Sequence, residues 1–208
     1  GVVDIDMLAG PSEVCVVADS GANPAFAAAD MLTQAEHDPE CAAYLITDSA
    51  DMANAVRVEL AAQIEELPRK GILRQALAES GAIILAENIQ QACELANYCA
   101  PEHLALMVRD PFAYLSSIRN AGAILMGDYS PQTLGDYFAG PSHTLPTSGT
   151  ARFASPLNVD TFIKKSSFVY YNDKAVSNAS EHLIRMAQTE GFEAHAEAVN
   201  KRLLRNPL

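Results

Sequence analysis

"SEVCVVADSGANPAFAAADMLTQAEHDPECAAYLIT", residues 12–47, is the stretch on which the fold turns. Its first part, "SEVCVVAD" (12–19), is an apolar run of strand length rich in valine, the pattern of a strand buried on both faces. Its middle, "NPAFAAADMLTQAEH" (23–37), has helical period, with Asn23 placed to cap and Pro24 at the first helical position. Its end, "AAYLIT" (42–47), is again a strand. Strand, helix and strand within so few residues make a βαβ unit, which requires the two strands to run parallel.

The same alternation continues outward. "SADMANAVRVELAAQIEEL" (49–67) reads as a long helix broken by Pro68, "GILRQALAES" (71–80) as another helix, and "AIIL" (82–85) as a strand. "NIQQACELANYCA" (88–100) is a helix ended by Pro101, and "HLALMV" (103–108) a strand. "DPFAYLSSIRNA" (110–121) is a helix capped by Asp110, and "AILMG" (123–127) a last strand. Residues 1–155 are therefore expected to form an α/β domain, an open Rossmann-like and mostly parallel sheet with helices on both faces. Within it, residues 127–157 are rich in Gly, Pro, Ser and Thr, and loops of that length in compact domains tend to be functional. "VDTFIKKSSFVYY" (159–171) and "NASEHLIRMAQTEGFEAHAEAVNKRL" (178–203) read as mainly helical. Residues 156–208 are thus expected to form a helical arm, too short for a core of its own and docked on something else, such as another subunit.

Composition bounds the function. The 208 residues carry a net charge of -12, which argues against nucleic acid, since a phosphate backbone rewards clustered Lys and Arg. No run approaches the ~18 uninterrupted apolar residues of a membrane helix, and no signal peptide is visible. The four cysteines, Cys15, Cys41, Cys93 and Cys99, show no CxxC spacing and point to a reducing, cytoplasmic setting. Gly1 stands where a methionine would open a gene product, so the chain reads as a fragment or a processed form.

Few residues could carry chemistry. The five histidines are His37, His103, His143, His182 and His195. Gln34 and His37 are three apart and share a helix face. Glu102 and His103 sit side by side after Pro101 at the entry of a strand, a pair suited to proton transfer. That is the end opposite to the carboxyl edge at which open α/β sheets usually bind ligands. His143 follows Asp136 by seven residues in the Gly/Pro-rich loop, and His195 follows Glu190 by five. Asp136 equally reads as a turn cap, Glu190 and His182 as solvated helix faces, and Ser12 as a plain turn serine. There is no GxGxxG after a strand, no P-loop and no HExxH. From the residues alone, the reading is an acidic α/β domain with a scattered His/Asp/Glu/Gln set able to bind zinc.

Five stretches go further. "DMLAGPSEVCVVADSGANP", "LTQAEHDPE", "YCAPEHLAL", "GDYSPQTLGDYFAGPSHTLPTSG" and "EGFEAHAEAV" together resemble histidinol dehydrogenase, in order and from end to end. The resemblance implies the two-step, NAD-dependent oxidation of L-histidinol to L-histidine, the last reaction of histidine biosynthesis. It implies one Zn²⁺ per subunit on Gln34, His37, Asp136 and His195, a nitrogen/oxygen set that Mn²⁺ or Co²⁺ could also fill. It implies Glu102 and His103 as the catalytic pair, and Ser12, His143 and Glu190 as substrate contacts together with Gln34, His37, His103, Asp136 and His195. It also implies a homodimer in which the arm is exchanged, so that Glu190 and His195 serve the partner's site. Family members are about twice as long. The chain thus resembles their C-terminal half, and the absent half is the one implied to hold most of the NAD. Two other readings compete: a zinc-dependent hydrolase using Glu102 to activate water, and a silent zinc-binding dimer module.

Overall fold

The computed structural model describes residues 2–204. The chain divides into two compact units between Phe162 and Ile163.

The first unit is built on five parallel strands, β1 (Glu13–Ala18), β2 (Ala42–Thr47), β3 (Gly81–Leu85), β4 (His103–Met107) and β5 (Ala123–Met126), in the order β3-β2-β1-β4-β5. The helices are α1 (Pro24–Ala35), α2 (Ala50–Glu66), α3 (Lys70–Ser80), α4 (Ile89–Cys99), α5 (Pro111–Leu115) and α6 (Gln132–Tyr137). Right-handed crossovers assign them to faces. The chain steps in one direction from β1 to β2 to β3, so α1, α2 and α3 share one face. It then reverses to reach β4 and β5, so α4 and α5 take the other. Packing follows this assignment. Val14, Val16 and Ala18 of β1 pack with Met31, Val56 and Leu73 of the first helix layer. Cys15 and Val17 pack with Cys93 and Ala96 of α4 and with Ile118 after α5. Alternate residues of one strand thus fill two cores, which is why β1 is apolar and buried from Val14 to Ala18.

Helix starts follow local chemistry. Asn23, Ser49, Asn88 and Asp110 each accept a backbone N–H of the first turn through their side chains. α5 ends earlier than expected, at Leu115 rather than near 121. Buried Asn97 of α4 is the reason. Its Oδ1 accepts the N–H groups of Arg119 (2.6 Å) and Asn120 (3.0 Å), and its Nδ2 donates to the carbonyl of Ser117 (2.7 Å). These bonds pull the chain out of the helix.

In the second unit, α7 (Asp173–Thr189) and α8 (Glu193–Leu203) pack on each other. Asn172 caps α7, and Gly191, with φ +76°, turns the chain between the two helices. The helix expected over 159–171 is not formed: a single 3-10 turn at Val159–Phe162 is followed by irregular backbone. Two adjacent serines and a run of aromatic and β-branched residues give that stretch little helical propensity. Among the described residues no helix is long and apolar enough to cross a membrane.

Candidate functional site

α1 returns antiparallel to the strands, so its last turn arrives at the edge where they begin. That edge also carries Ser12 and Glu13 ahead of and at the start of β1, and Glu102 and His103 at the start of β4. His103 lies level with Val14 of β1 and Ala123 of β5. The candidate groups of the first unit therefore gather at the amino edge of the sheet, not in the carboxyl-end crevice typical of this architecture.

The backbone around Glu102 is tightly held. α4 stops at Ala100, whose φ of +50° turns the chain into Pro101. The carbonyl of Glu102 then accepts the N–H of Ala123 at 2.9 Å, and that of Pro101 accepts Gly122 at 3.0 Å. A Cβ on Gly122 would lie 2.5 Å from the Glu102 carbonyl oxygen, so this close approach requires glycine. A bond of 2.6 Å from the Gly10 N–H to Thr147 Oγ1 ties the loop before Ser12 to the long loop after α6.

His103, 4% exposed, sits among acceptors. Its Nδ1 is 3.3 Å from the carbonyl oxygen of Glu13 and 3.6 Å from Glu102 Oε2, and its Nε2 is 3.4 Å from Asp136 Oδ1. A carbonyl can only accept, so Nδ1 carries the proton and Nε2 faces Asp136. Burial opposes charging this ring, but Glu102 and Asp136 outweigh it and hold the His103 pKa above its ordinary value. Glu102 is buried too. Its Oε2 accepts the Glu13 N–H at 3.0 Å, while Oε1 has no donor among the described residues. The carboxyl of Glu13 is pushed up by burial, against the pull of the Glu102 and Ser148 backbone N–H groups.

α6 links this pair to α1. Gln132 and Asp136 are four apart on one face of it. Asp136 meets His103, and Gln132 Oε1 accepts Gln34 Nε2 at 2.7 Å. His103, Asp136 and Gln132, with Gly135, Leu145 and β5, line a cavity of about 410 Å³.

The other predicted residues are placed as follows. Ser12 is half-buried, and its carbonyl accepts the Ala42 N–H at 3.1 Å. His37 is exposed just beyond α1. His143 is exposed in the loop after α6, next to Ser142 of the cavity wall. Glu190 ends α7, His195 lies in the first turn of α8 with its ring 5.2 Å from that of Phe192, and His182 is exposed on α7. The fold thus brings Glu102, His103, Asp136 and Gln34 together and sets Ser12 and His37 on the same edge. Glu190 and His195 belong to the second unit. Among the described residues no three of His, Cys, Asp and Glu converge as a metal group.

Three residues at this edge escape a reading by motif: Glu13, Asp30 and Gln132. The available signal for Asp30 was a carboxylate on the apolar side of α1. It is 4% exposed and its Oδ2 has no partner among the described residues. Burial raises its pKa to about 6 from 3.8, with His103 pulling the other way. A carboxyl raised in this way stabilises the fold while protonated, fully so below its unfolded value, and the contribution is lost as pH rises through the folded value. Between about pH 4 and pH 7 the wild-type chain is expected to lose about 2 kcal/mol more stability than Asp30→Asn. Urea unfolding of both proteins at the two pH values measures this, and parallel losses would contradict it.

Comparison with known proteins adds the lineage. A family model described as histidinol dehydrogenase matches residues 1–203. The chain is 52% identical over 202 residues to a histidinol dehydrogenase of Clostridium acetobutylicum, covering 97% of this chain and 47% of that one. It is 51% identical over 203 residues to that of Heliobacterium mobile, covering 98% and 48%. The crystal structure of histidinol dehydrogenase from Elizabethkingia anophelis superposes with a TM-score of 0.87 at 41% identity, over 97% of this chain and 46% of that one. The chain spans about half the length of the curated relatives it matches.

Proposed function

Since the chain belongs to the histidinol dehydrogenase family and corresponds to the C-terminal half of its relatives, we propose that it carries the proton-transfer and metal-binding part of an enzyme that oxidises L-histidinol to L-histidine. The observation that carries this reading is the seat of His103, buried between Glu102 and Asp136 at a cavity of about 410 Å³.

Oxidising a primary alcohol to an acid takes two hydride removals and, between them, the addition of water. Two kinds of proton removal are needed. His103 presents Nε2 towards the cavity with Nδ1 anchored on the Glu13 carbonyl, so it takes the alcohol proton as the first hydride leaves. Glu102 is fixed through Oε2 and keeps Oε1 without a donor, so it draws the proton from the water that adds to the aldehyde carbon. As the water adds, protonated His103 returns its proton to the aldehyde oxygen, and the neutral ring then takes the hydroxyl proton of the hydrate as the second hydride leaves. Held side by side on a rigid bend, the two groups address one substrate without rearrangement. NAD, implied to bind mainly on the half that precedes this one, supplies the hydride acceptor for both steps.

Gln34, His37 and Asp136, with His195 from a second copy of the chain, form the proposed zinc site. The donor set suits the ion: a carbonyl oxygen, two imidazoles and a carboxylate. Gln34 supports this, because its amide nitrogen is engaged by Gln132 while its Oε1 has no donor among the described residues. When bound, zinc supplies a Lewis acid that fixes the amine and imidazole of the substrate. The proposal includes a homodimer with exchanged arms, substrate contacts from Ser12, His143 and Glu190, and a cytoplasmic setting in keeping with cysteines held as thiols.

The metal part is tested by zinc content after chelation, reloading and desalting. Wild type is expected to retain one zinc per chain in the dimer and His37→Ala essentially none, since losing one of four ligands opens the shell. Full occupancy in the variant would contradict the assignment.

A further inference from the structure

Gln132 is 1% exposed, and both ends of its amide are engaged internally. Its Nε2 donates to the Asp30 carbonyl at 3.2 Å. Its Oε1 faces Gln34 Nε2 at 2.7 Å and the Thr33 hydroxyl at 2.8 Å. A chain of necessity runs through these contacts. The Asp30 carbonyl can only accept, so the NH₂ group of Gln132 must point to it and its oxygen must point away. That oxygen can only accept, so Gln34 must turn its own NH₂ group inward. The oxygen of Gln34 is then the atom left over.

We propose that Gln132 is a positioning residue that fixes the amide of Gln34 with its oxygen outward, the only orientation in which Gln34 can bind a cation. The inference rests on the zinc site proposed above. A carboxamide coordinates through oxygen, because its nitrogen lone pair is delocalised. A Gln34 turned the other way would present two N–H donors to the ion. Gln132 therefore acts on the metal through the orientation of its neighbour, as the partners behind a ligand commonly do. The same α6 face carries Asp136, so one short helix supplies both a proposed ligand and the orienting group for another.

The test is Zn²⁺ affinity of the 208-residue chain, measured by competition with a chromogenic chelator, which needs no catalysis. Gln132→Leu is expected to weaken binding ~10–100-fold. The decisive comparison uses Gln34→Glu, whose two oxygens are equivalent and need no orienting. In that background Gln132→Leu is expected to change affinity by less than about twofold, since the bond it removes no longer decides which atom faces the ion. Equal losses in both backgrounds would mean a general packing role and overturn the proposal. So would an unchanged affinity in Gln132→Leu while Gln34→Ala loses zinc, and that result would leave the zinc site standing. If wild type binds no zinc, or Gln34→Ala binds as wild type does, the zinc site itself fails and this inference with it. Should Gln132→Leu not fold, Gln132→Glu still accepts from Gln34 and is expected to bind at least as tightly as wild type. An affinity about tenfold weaker in that variant would overturn the proposal.

Discussion

Glu102→Gln is expected to slow aldehyde oxidation ~10²–10⁴-fold while leaving alcohol oxidation far less affected. The amide is nearly isosteric and can still accept the Glu13 N–H that holds Glu102 in place. It cannot take a proton from water. Alcohol oxidation relies on His103, whose anchor on the Glu13 carbonyl the substitution does not touch. The variant is to be made in a chain joined to the preceding half that its relatives carry. Each half-reaction is started from its own substrate, the alcohol or the aldehyde, and followed as NADH. Equal damage to both would contradict the division of labour between the two neighbours.

Mixing two inactive variants is expected to restore activity. If the arm is exchanged, each site takes Glu102 from one chain and His195 from the other. Glu102→Gln and His195→Ala are each inactive in the complete reaction. In a mixed dimer one site receives both defects and the other receives none. Random reassortment makes about half the dimers mixed, so roughly a quarter of wild-type activity returns. Were each chain to build its own site, every site would keep one defect. The two proteins are unfolded together, refolded and assayed for NADH from L-histidinol. Hybrid dimers without activity above the separately refolded controls would rule out the exchange.

The sheet was legible because its central strands, β1, β2 and β4, are buried on both faces. Such strands are short unbroken apolar runs, and helices with side-chain caps at Asn23, Ser49, Asn88 and Asp110 punctuate them. The failures have identifiable causes. The end of α5 depends on Asn97, a residue on another helix, and no window of sequence contains that contact. The stretch 159–171 invites a helical reading by its apolar spacing, yet its serines and aromatic residues do not hold a helix.

The site was legible in part. Glu102 and His103 were visible as adjacent titratable groups beside a proline, while the preference for carboxyl-end sites pointed away from them. Their grouping with Gln34 depends on α1 running antiparallel to the sheet, which returns its last turn to the amino edge. Gln132 reads as an ordinary polar residue of the Gly/Pro-rich stretch 127–157. Its role emerges only once Asp30, Thr33 and Gln34 are seen around it. Glu190 and His195 lie in a separate unit, and the family resemblance alone ties them to this chemistry.

The central claim, that this chain supplies the proton-handling half of a dehydrogenase acting on L-histidinol, is tested most directly by NADH formation. The chain is combined with the N-terminal half of a relative, fused or added in trans, loaded with zinc and given L-histidinol and NAD. The account predicts two NADH for each L-histidinol consumed, L-histidine as product, and loss of both on chelation. A folded, zinc-loaded assembly that forms no NADH from L-histidinol, or stops at one NADH with the aldehyde accumulating, would contradict it.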